Sequence, residues 1–487
     1  SGKVSCGDWL VGSKLPSQRQ LSEIFQVNRS TIVTAVEELT AYGLLESEHG
    51  GGTKIASNTW SLFLSTPPDW NKYLFQSDPN GYIYASNTWS LFLSTPPDWN
   101  KYIHSGPFKS NMQTIQIINK LEFEDKYIRL GTGELCPDLF PHELMNKVFK
   151  KLPSKIPSLN YLGPLGLPEL RRSLTERMAL KGIEAPDSSI VITSGSLQGL
   201  QLLSVCMLKP GSTVFTEAPT YLKSLQVFQS AGMHLSGIPM DKNGILYWQI
   251  NKEISQSLLY TIPTHHNPTG LIMSEERRKE LFHFCSGNRL PVIEDDAYGD
   301  LWLDKMPPKP IKSLDKNGMI LYLGTVSKTL APGLRIGWLV GPESVVYRIG
   351  DVKMQVDYGA SSVSQWALTE FFDSGYYDDY LIFLRKELKA RRDLVLSLLG
   401  KYFKDLADWN VPEGGFYIWL RFKKPVLMDK LFQMALENNI LLNPGNIYDF
   451  SDNNALRLSY AYARPEDFST SLKTLSEVVV RCQKKWK

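Results

Sequence analysis

The chain is poor in cysteine, in long apolar runs and in net charge, and each shortage removes a class of proteins. Its cysteines, Cys6, Cys136, Cys206, Cys285 and Cys482, are scattered, with no C-x-x-C pair and no metal-ligand spacing. That pattern argues against a disulfide framework and suits a reducing compartment. No apolar run approaches the ~20 residues that span a bilayer, so no membrane segment is expected. The first residues lack the apolar core of a secretion signal, and the cytoplasm is the expected location. A net charge of +3 over 487 residues names no partner by itself. With 43% hydrophobic and 21% charged residues the composition is that of a globular protein, and the length calls for two or three domains.

What is present is organised around Gly324-Thr-Val-Ser-Lys-Thr-Leu-Ala-Pro-Gly-Leu-Arg-Ile-Gly337, which follows the apolar run Ile320-Leu-Tyr-Leu323. A lysine placed between buried strands loses hydration, so its amine is readied to attack a carbonyl. Ser327 and Arg335 offer a hydroxyl and a guanidinium fork, which suit a phosphate. An amine for an aldehyde beside groups for a phosphate describes a pyridoxal phosphate site.

Four further stretches add to it. Ile192-Thr-Ser-Gly-Ser-Leu-Gln198 leaves a strand and opens a helix, placing the backbone donors of Gly195 and Ser196 at a helix N-terminus, where a phosphate is favoured. Thr216-Glu-Ala-Pro-Thr-Tyr221 brings an aromatic ring after another strand. Thr264-His-His-Asn-Pro-Thr-Gly270 holds Asn267 in a Pro/Gly turn, and Pro291-Val-Ile-Glu-Asp-Asp-Ala-Tyr298 ends a strand with carboxylates and a phenol.

In this order the stretches resemble the motifs of the fold type I aminotransferases, G-S/T-x-Q, E-x-P-x-Y, N-P-x-G, D-x-x-Y and S-K-x-x-x-P-G-x-R-x-G, from about Ile128 to the C-terminus. The resemblance implies that Lys328 holds the cofactor covalently and that Asp295 pairs with its pyridine nitrogen. Asp296 is the rival for the second role, and the spacing to Tyr298 favours Asp295. It also implies that Tyr298 and Asn267 hold the ring hydroxyl and that Tyr221 stacks on the ring. Gly195, Ser196, Ser327 and Arg335 would bind phosphate, with Gln198 nearby. Tyr161 would reach the phosphate of a neighbouring subunit. Arg457, in Asn454-Ala-Leu-Arg-Leu-Ser-Tyr460, would take a substrate or effector carboxylate, for which a bidentate fork is suited.

Residues 1–55 read as a separate α+β module. Ser17 and Gln20 form a capping box, and Leu21, Ile24 and Phe25 give the first helix an apolar stripe. Asn28 opens a second helix running to Tyr42 and stopped by Gly43, with Ile32, Val36 and Leu39 facing inward. Leu44-Leu-Glu and His49 to Ile55 read as a two-stranded wing with a glycine-rich tip. The module resembles the winged helix-turn-helix of the GntR family through L-P-S-x-R, V-x-R-x-T-V and G-x-G-T. The expected DNA contacts are Arg29, Ser30, Thr31 and Thr34 on the reading edge, with Arg19 and Lys54 on phosphates. Lys3, Lys14, Arg19, Arg29 and Lys54 stand against Asp8, Glu23, Glu37, Glu38, Glu46 and Glu48, a net of −1. Phosphate contact must therefore come from clustering on one face. The family's first helix should precede Gly7, so the module reads as shortened at its front.

Residues 56–127 read as a linker, because Thr-Pro-Pro-Asp occurs twice. Residues 56–73 recur without change at 85–102; two perfect copies are too few and too alike for a solenoid. From 128 to 487 strands alternate with helical patterns, which predicts an α/β domain with a mostly parallel sheet and helices on both faces. A smaller C-terminal α+β part follows. The combination resembles the MocR-type GntR regulators. It implies a homodimer, head to tail, that binds promoter DNA and responds to pyridoxal phosphate or an amino compound. The alternatives are a working aminotransferase, since the residues for its half-reaction are present, and a pyridoxal phosphate store.

Overall fold

The structure is a computed structural model that describes residues 14–41, 45–48, 52–56, 76–77, 83–84, 111–250, 256–449 and 454–484. The chain divides into two units, Ser1–Gly106 and Pro107–Lys487. Tyr42 and Gly43 at the expected end of the second helix, the wing tip and nearly all of the duplicated sequence lie outside the described residues.

In the first unit, helix α1 (Gln18–Phe25) begins with the expected capping box. Ser17 Oγ accepts from the Gln20 amide at 3.4 Å, and Gln20 Oε1 accepts from the Ser17 amide at 2.9 Å. Gln26 then turns the chain in the left-handed region at φ 53°, and helix α2 (Arg29–Ala41) follows. Strands β1 (Leu45–Glu48) and β2 (Gly52–Ile55) pair antiparallel with Leu45 opposite Ile55. The Leu15 amide donates to the Thr53 carbonyl at 2.8 Å, which ties the segment before α1 to the wing. The small core includes Leu21, Ile32, Leu45 and Ile55. Ile24, Phe25 and Leu39, expected inside, are 49%, 51% and 39% exposed. Among the described residues, two short helices and one hairpin leave part of each apolar stripe open.

The second unit is built on an eight-stranded sheet. In chain order its strands are β3 (Ile190–Thr193), β4 (Thr213–Ala218), β5 (His234–Asp241), β6 (Gly244–Ile245), β7 (Ser257–Thr261), β8 (Val292–Asp295), β9 (Ile320–Thr325) and β10 (Gly337–Val340). They lie in the order β3-β10-β9-β8-β7-β4-β5-β6. The central strands β5, β4, β7, β8 and β9 run parallel, while β10 is antiparallel to both β9 and β3. Successive side chains point to opposite faces. Leu258 and Tyr260 of β7 accordingly enter one apolar cluster with Leu200, Leu203 and Leu323, and Leu259 enters another with Phe215, Val292 and Ile320. Both faces are covered, so these strands read as near-continuous apolar runs.

The linker assignment ends too late in the sequence. Helix α3 (Gln113–Leu121) buries Ile115 and Ile118 in the main core of this unit. Helix α4 (Ser196–Met207) leaves β3, and helix α5 (Tyr376–Tyr402) leads to the C-terminal part. There β11 (Ala407–Trp409), β12 (Tyr417–Phe422), β13 (Asn443–Pro444) and β14 (Ala455–Ser459) form an antiparallel sheet in the order β11-β12-β14-β13. Helix α6 (Pro465–Lys484) packs on α5. The register sets Arg457 between Trp419 and Asn443. A two-residue parallel pairing of Ile128–Arg129 with Ile440–Leu441 brings the following loop, Gly131 to Glu134, beside this sheet.

Candidate functional site

The parallel strands β7, β8 and β9 end together, and the loops beyond their C-terminal ends enclose a cavity of about 190 Å³. This is where ligands enter open α/β sheets. Gly195, Ser196, Tyr221, Asn267, Asp295, Tyr298, Ser327, Lys328 and Arg335 all line it. Of the expected cofactor residues only Gln198 and Tyr161 do not.

One end of the cavity is suited to an anion. Gly195 precedes α4 at φ 86°, where a Cβ would come within 2.6 Å of Arg335 Nη2. Glycine thus permits both the turn and the close approach of the guanidinium. The first amides of α4 have no partner within the helix and carry the positive end of its dipole. Arg335 donates from Nη2 to the Ser194 carbonyl at 2.7 Å, and Ser327 Oγ lies 2.9 Å from Thr325 Oγ1. Gln198 has a different part from the expected one: it grips the turn from behind. Its Oε1 accepts from the Ser194 amide at 2.7 Å and its Nε2 donates to Asp357 at 2.5 Å.

Asp295 is suited to a ring nitrogen. Asp295 closes β8 with its Oδ2 accepting from the Tyr260 hydroxyl at 2.7 Å. Its Oδ1 is buried and has no hydrogen-bond partner among the described residues. Burial pushes this carboxyl up to about 6, against the pull of the Tyr260 hydroxyl and of Lys328. Asp296 turns the other way, accepting from Lys181 Nζ at 2.9 Å and from the Tyr322 hydroxyl at 2.5 Å. Burial raises its carboxyl, but Lys181 and the Tyr322 hydroxyl outweigh that and hold it below the ordinary value. One residue of register therefore sends one aspartate into the cavity and its neighbour into an ion pair.

Lys328 lines the same cavity, half-buried, and its Nζ donates to the Gly133 carbonyl at 2.7 Å. Tyr298 meets Tyr417 hydroxyl to hydroxyl at 2.8 Å. Arg457 is 6% exposed and donates to Asn267 Oδ1 at 2.9 Å and to the Gly131 carbonyl at 2.6 Å. Its guanidinium lies 4.2 Å from the Tyr417 ring centre and 4.7 Å from that of Tyr448. Beneath the Asn267 turn, Glu217 accepts from the Ile262 amide at 3.0 Å and from the Thr261 hydroxyl. Burial pushes its carboxyl up to about 7.

Tyr161 is 79% exposed and packs on Tyr358 with ring centres 4.9 Å apart. In the first unit, Arg29, Ser30, Thr31 and Thr34 are all exposed on the first turns of α2, and Arg19 is exposed with an ion pair to Glu23 at 3.6 Å. Lys54 lies on β2 opposite Glu46.

Several residues of the site carry no motif. Tyr260, Tyr417, Gly133 and Glu134 lie outside the motifs, and Thr325 lies inside the Gly324–Gly337 stretch with no role expected of it. Only Tyr260 left a signal, a phenol in the short, wholly buried strand Ser257–Thr261. Among the described residues no group of His, Cys, Asp and Glu is placed to hold a metal ion, and no helix is long and apolar enough to cross a membrane.

Residues 125–475 match the family of aminotransferases class I and II, and residues 3–55 match the gntR family of bacterial regulatory proteins. The chain is 46% identical over 483 residues to an uncharacterized HTH-type transcriptional regulator, YisV of Bacillus subtilis, covering 98% of this chain and 94% of that protein. It is 33% identical to the HTH-type transcriptional regulator NorG of Staphylococcus aureus, covering 94% and 98%. A kynurenine aminotransferase of Pyrococcus horikoshii, solved in complex with PMP, superposes with a TM-score of 0.74 at 30% identity, covering 79% of this chain and 98% of that one. LysN, an α-aminoadipate aminotransferase of Thermus thermophilus complexed with N-(5'-phosphopyridoxyl)-L-leucine, gives 0.72 at 25% identity, covering 80% and 99%. Both ends of the chain thus find their own relatives, and the whole chain finds regulators. It belongs to the MocR-type GntR transcriptional regulators, in which a gntR-family DNA-binding module is joined to an aminotransferase class I and II domain.

Proposed function

We propose that the cavity holds pyridoxal phosphate and that an amino compound entering it changes how the N-terminal module binds promoter DNA. The observation that carries this reading is the unpartnered, buried Oδ1 of Asp295 facing a cavity that also holds Lys328 and a helix N-terminus. An unpaired carboxylate oxygen in such a place costs free energy unless a donor arrives. A pyridinium N–H is such a donor. When bound, the cofactor supplies an electrophilic carbon at which amines exchange.

The chain's own residues have separable parts in this reading. Lys328 Nζ, held toward the Gly133 carbonyl, is the amine that the cofactor joins. Ser196, Ser327 and Arg335 hold its phosphate, with Gln198 fixing the turn that carries them. Asn267 and Tyr298 hold the ring hydroxyl; the Asn267 carbonyl is already taken by Arg457, which leaves its amide hydrogens to donate. Tyr221 stacks on the ring. Arg457 binds an effector carboxylate by giving up part of its present contacts.

On the DNA side, Arg29, Ser30, Thr31 and Thr34 read bases, and Arg19 and Lys54 contact phosphates. A homodimer arranged head to tail, in which the exposed Tyr161 reaches the partner's phosphate site, completes the reading. An effector acts on the DNA module only by binding two arrangements of the dimer with different affinity. Turnover as an aminotransferase is the second reading, supported by Lys328 and Arg457 sharing one site. Borohydride reduction of the cofactor-loaded chain followed by peptide mapping tests the site: label is expected on Lys328, and label elsewhere overturns it. Turnover of amino donors with keto acids at enzymic rates would favour the second reading.

A further inference from the structure

Resting on that reading, we propose that Glu134 selects among amines entering the cavity, favouring those that carry a second cationic group beyond the reacting amine. Glu134 closes the loop Gly131 to Glu134, whose two glycine carbonyls meet the two basic groups of the site. The Gly131 carbonyl accepts from Arg457 at 2.6 Å and the Gly133 carbonyl from Lys328 at 2.7 Å. Glu134 lines the same cavity yet is exposed, so it stands where the cavity opens to solvent. Asp295, a residue only 6% exposed whose buried Oδ1 has no partner among the described residues, marks independently that this cavity receives a ligand.

Arg335, Lys328, Arg457 and Arg129 are committed elsewhere. Arg335 donates to Ser194, Lys328 to Gly133, and Arg457 to Asn267 and Gly131. Arg129 donates to the Glu122 backbone carbonyl and lies 4.0 Å over the Tyr462 ring. Lys223 lowers the Glu122 carboxyl, against burial and the Glu134 charge, which raise it. Glu134 itself has no hydrogen-bond or ion-pair partner among the described residues. Glu122 stands close enough that burial and the Glu134 charge together raise its carboxyl. The mouth thus presents an unspent carboxylate backed by a second one. An effector whose far end is an ammonium replaces water on Glu134 with a charge-assisted hydrogen bond, whereas an anionic end meets repulsion.

The test uses the full chain loaded with pyridoxal phosphate and three probes: lysine, norleucine, which lacks only the terminal ammonium, and 2-aminoadipate. Affinities are read from the visible absorption of the cofactor and, separately, from the thermal shift of the chain. Lysine should bind about tenfold tighter than norleucine, the size of one charge-assisted hydrogen bond, and aminoadipate more weakly than either. In Glu134→Gln, an exposed and near-isosteric change, lysine should fall to within about twofold of norleucine. Equal affinities in the unaltered chain, or a lysine preference that survives in Glu134→Gln, would overturn the assignment while leaving the amine-sensing reading intact. If none of the three moves either signal although borohydride labels Lys328, amine sensing and this inference fall together.

Discussion

The two adjacent aspartates give the sharpest perturbation. Replacing Asp295 by Asn keeps an oxygen for the Tyr260 hydroxyl, 2.7 Å away, but removes the charge from the unpartnered side. A hydrogen bond to a charged group contributes ~1.5–3 kcal/mol and a neutral one ~0.5–1.5. The difference, about 1.5 kcal/mol, is about a tenfold loss of cofactor affinity. Replacing Asp296 by Asn acts on another quantity. Lys181 then keeps only Asp300, at 3.0 Å, as an anionic partner. Breaking a buried ion pair costs ~3–5 kcal/mol, and Lys181 keeps a partner, so about 3 kcal/mol of folding stability should go. Cofactor affinity should move by less than about twofold. Equilibrium dialysis against pyridoxal phosphate at pH 8, where both carboxyls are ionised, measures the first effect, and urea unfolding of the cofactor-free chain measures the second. Asp296→Asn weakening the cofactor more than Asp295→Asn would refute the register argument.

Other expectations follow from the same geometry. Burial holds the Glu217 carboxyl at about 7 against an ordinary 4.5, so the folded chain keeps a proton that the unfolded chain releases. The stability this contributes is present below pH 4.5 and lost as pH rises through about 7, amounting to about 3 kcal/mol. Glu217→Gln should therefore destabilise the chain more at pH 4.5 than at pH 8 in urea titrations, and a pH-independent difference would sink the assignment. Arg457→Ala should leave the cofactor bound but lower the affinity of carboxylate-bearing amines by ~10–100-fold, read by visible titration; unchanged affinities would remove its role. Arg29→Ala should relax base preference at one position per half-site by ~1–3 kcal/mol, measured on operator variants. Arg19→Ala or Lys54→Ala should weaken all sequences alike and flatten the salt dependence, and a base-specific loss from either would reassign it.

The motif residues that line the cavity were legible because chemistry fixes residue type at strand ends. A lysine, an aspartate and an asparagine each follow a buried apolar run, and sequence alone shows both the run and its end. What stayed hidden depends on partners far apart in the chain. Tyr260 is 35 residues from Asp295, and Tyr417 is 119 from Tyr298; no local pattern joins them. Gln198 was placed near the phosphate by its motif, whereas the side chain turns back to Asp357. Helix α3 escaped notice because Ile115 and Ile118 make a short stripe beside proline-rich sequence, and only packing against the main core justifies it. Ile24, Phe25 and Leu39 followed helical periodicity correctly, but periodicity says which face is apolar and leaves open what covers it.

In the proposed function one chain couples an amine-binding cofactor site to DNA binding. Fluorescence anisotropy of the full chain on the DNA upstream of its own gene, with and without pyridoxal phosphate and with an amine that shifts the cofactor spectrum, tests it directly. The account predicts that this amine changes DNA affinity in the unaltered chain and has no effect in Lys328→Ala, which still binds the DNA. An amine that alters the cofactor spectrum yet leaves DNA affinity the same in both chains would contradict it.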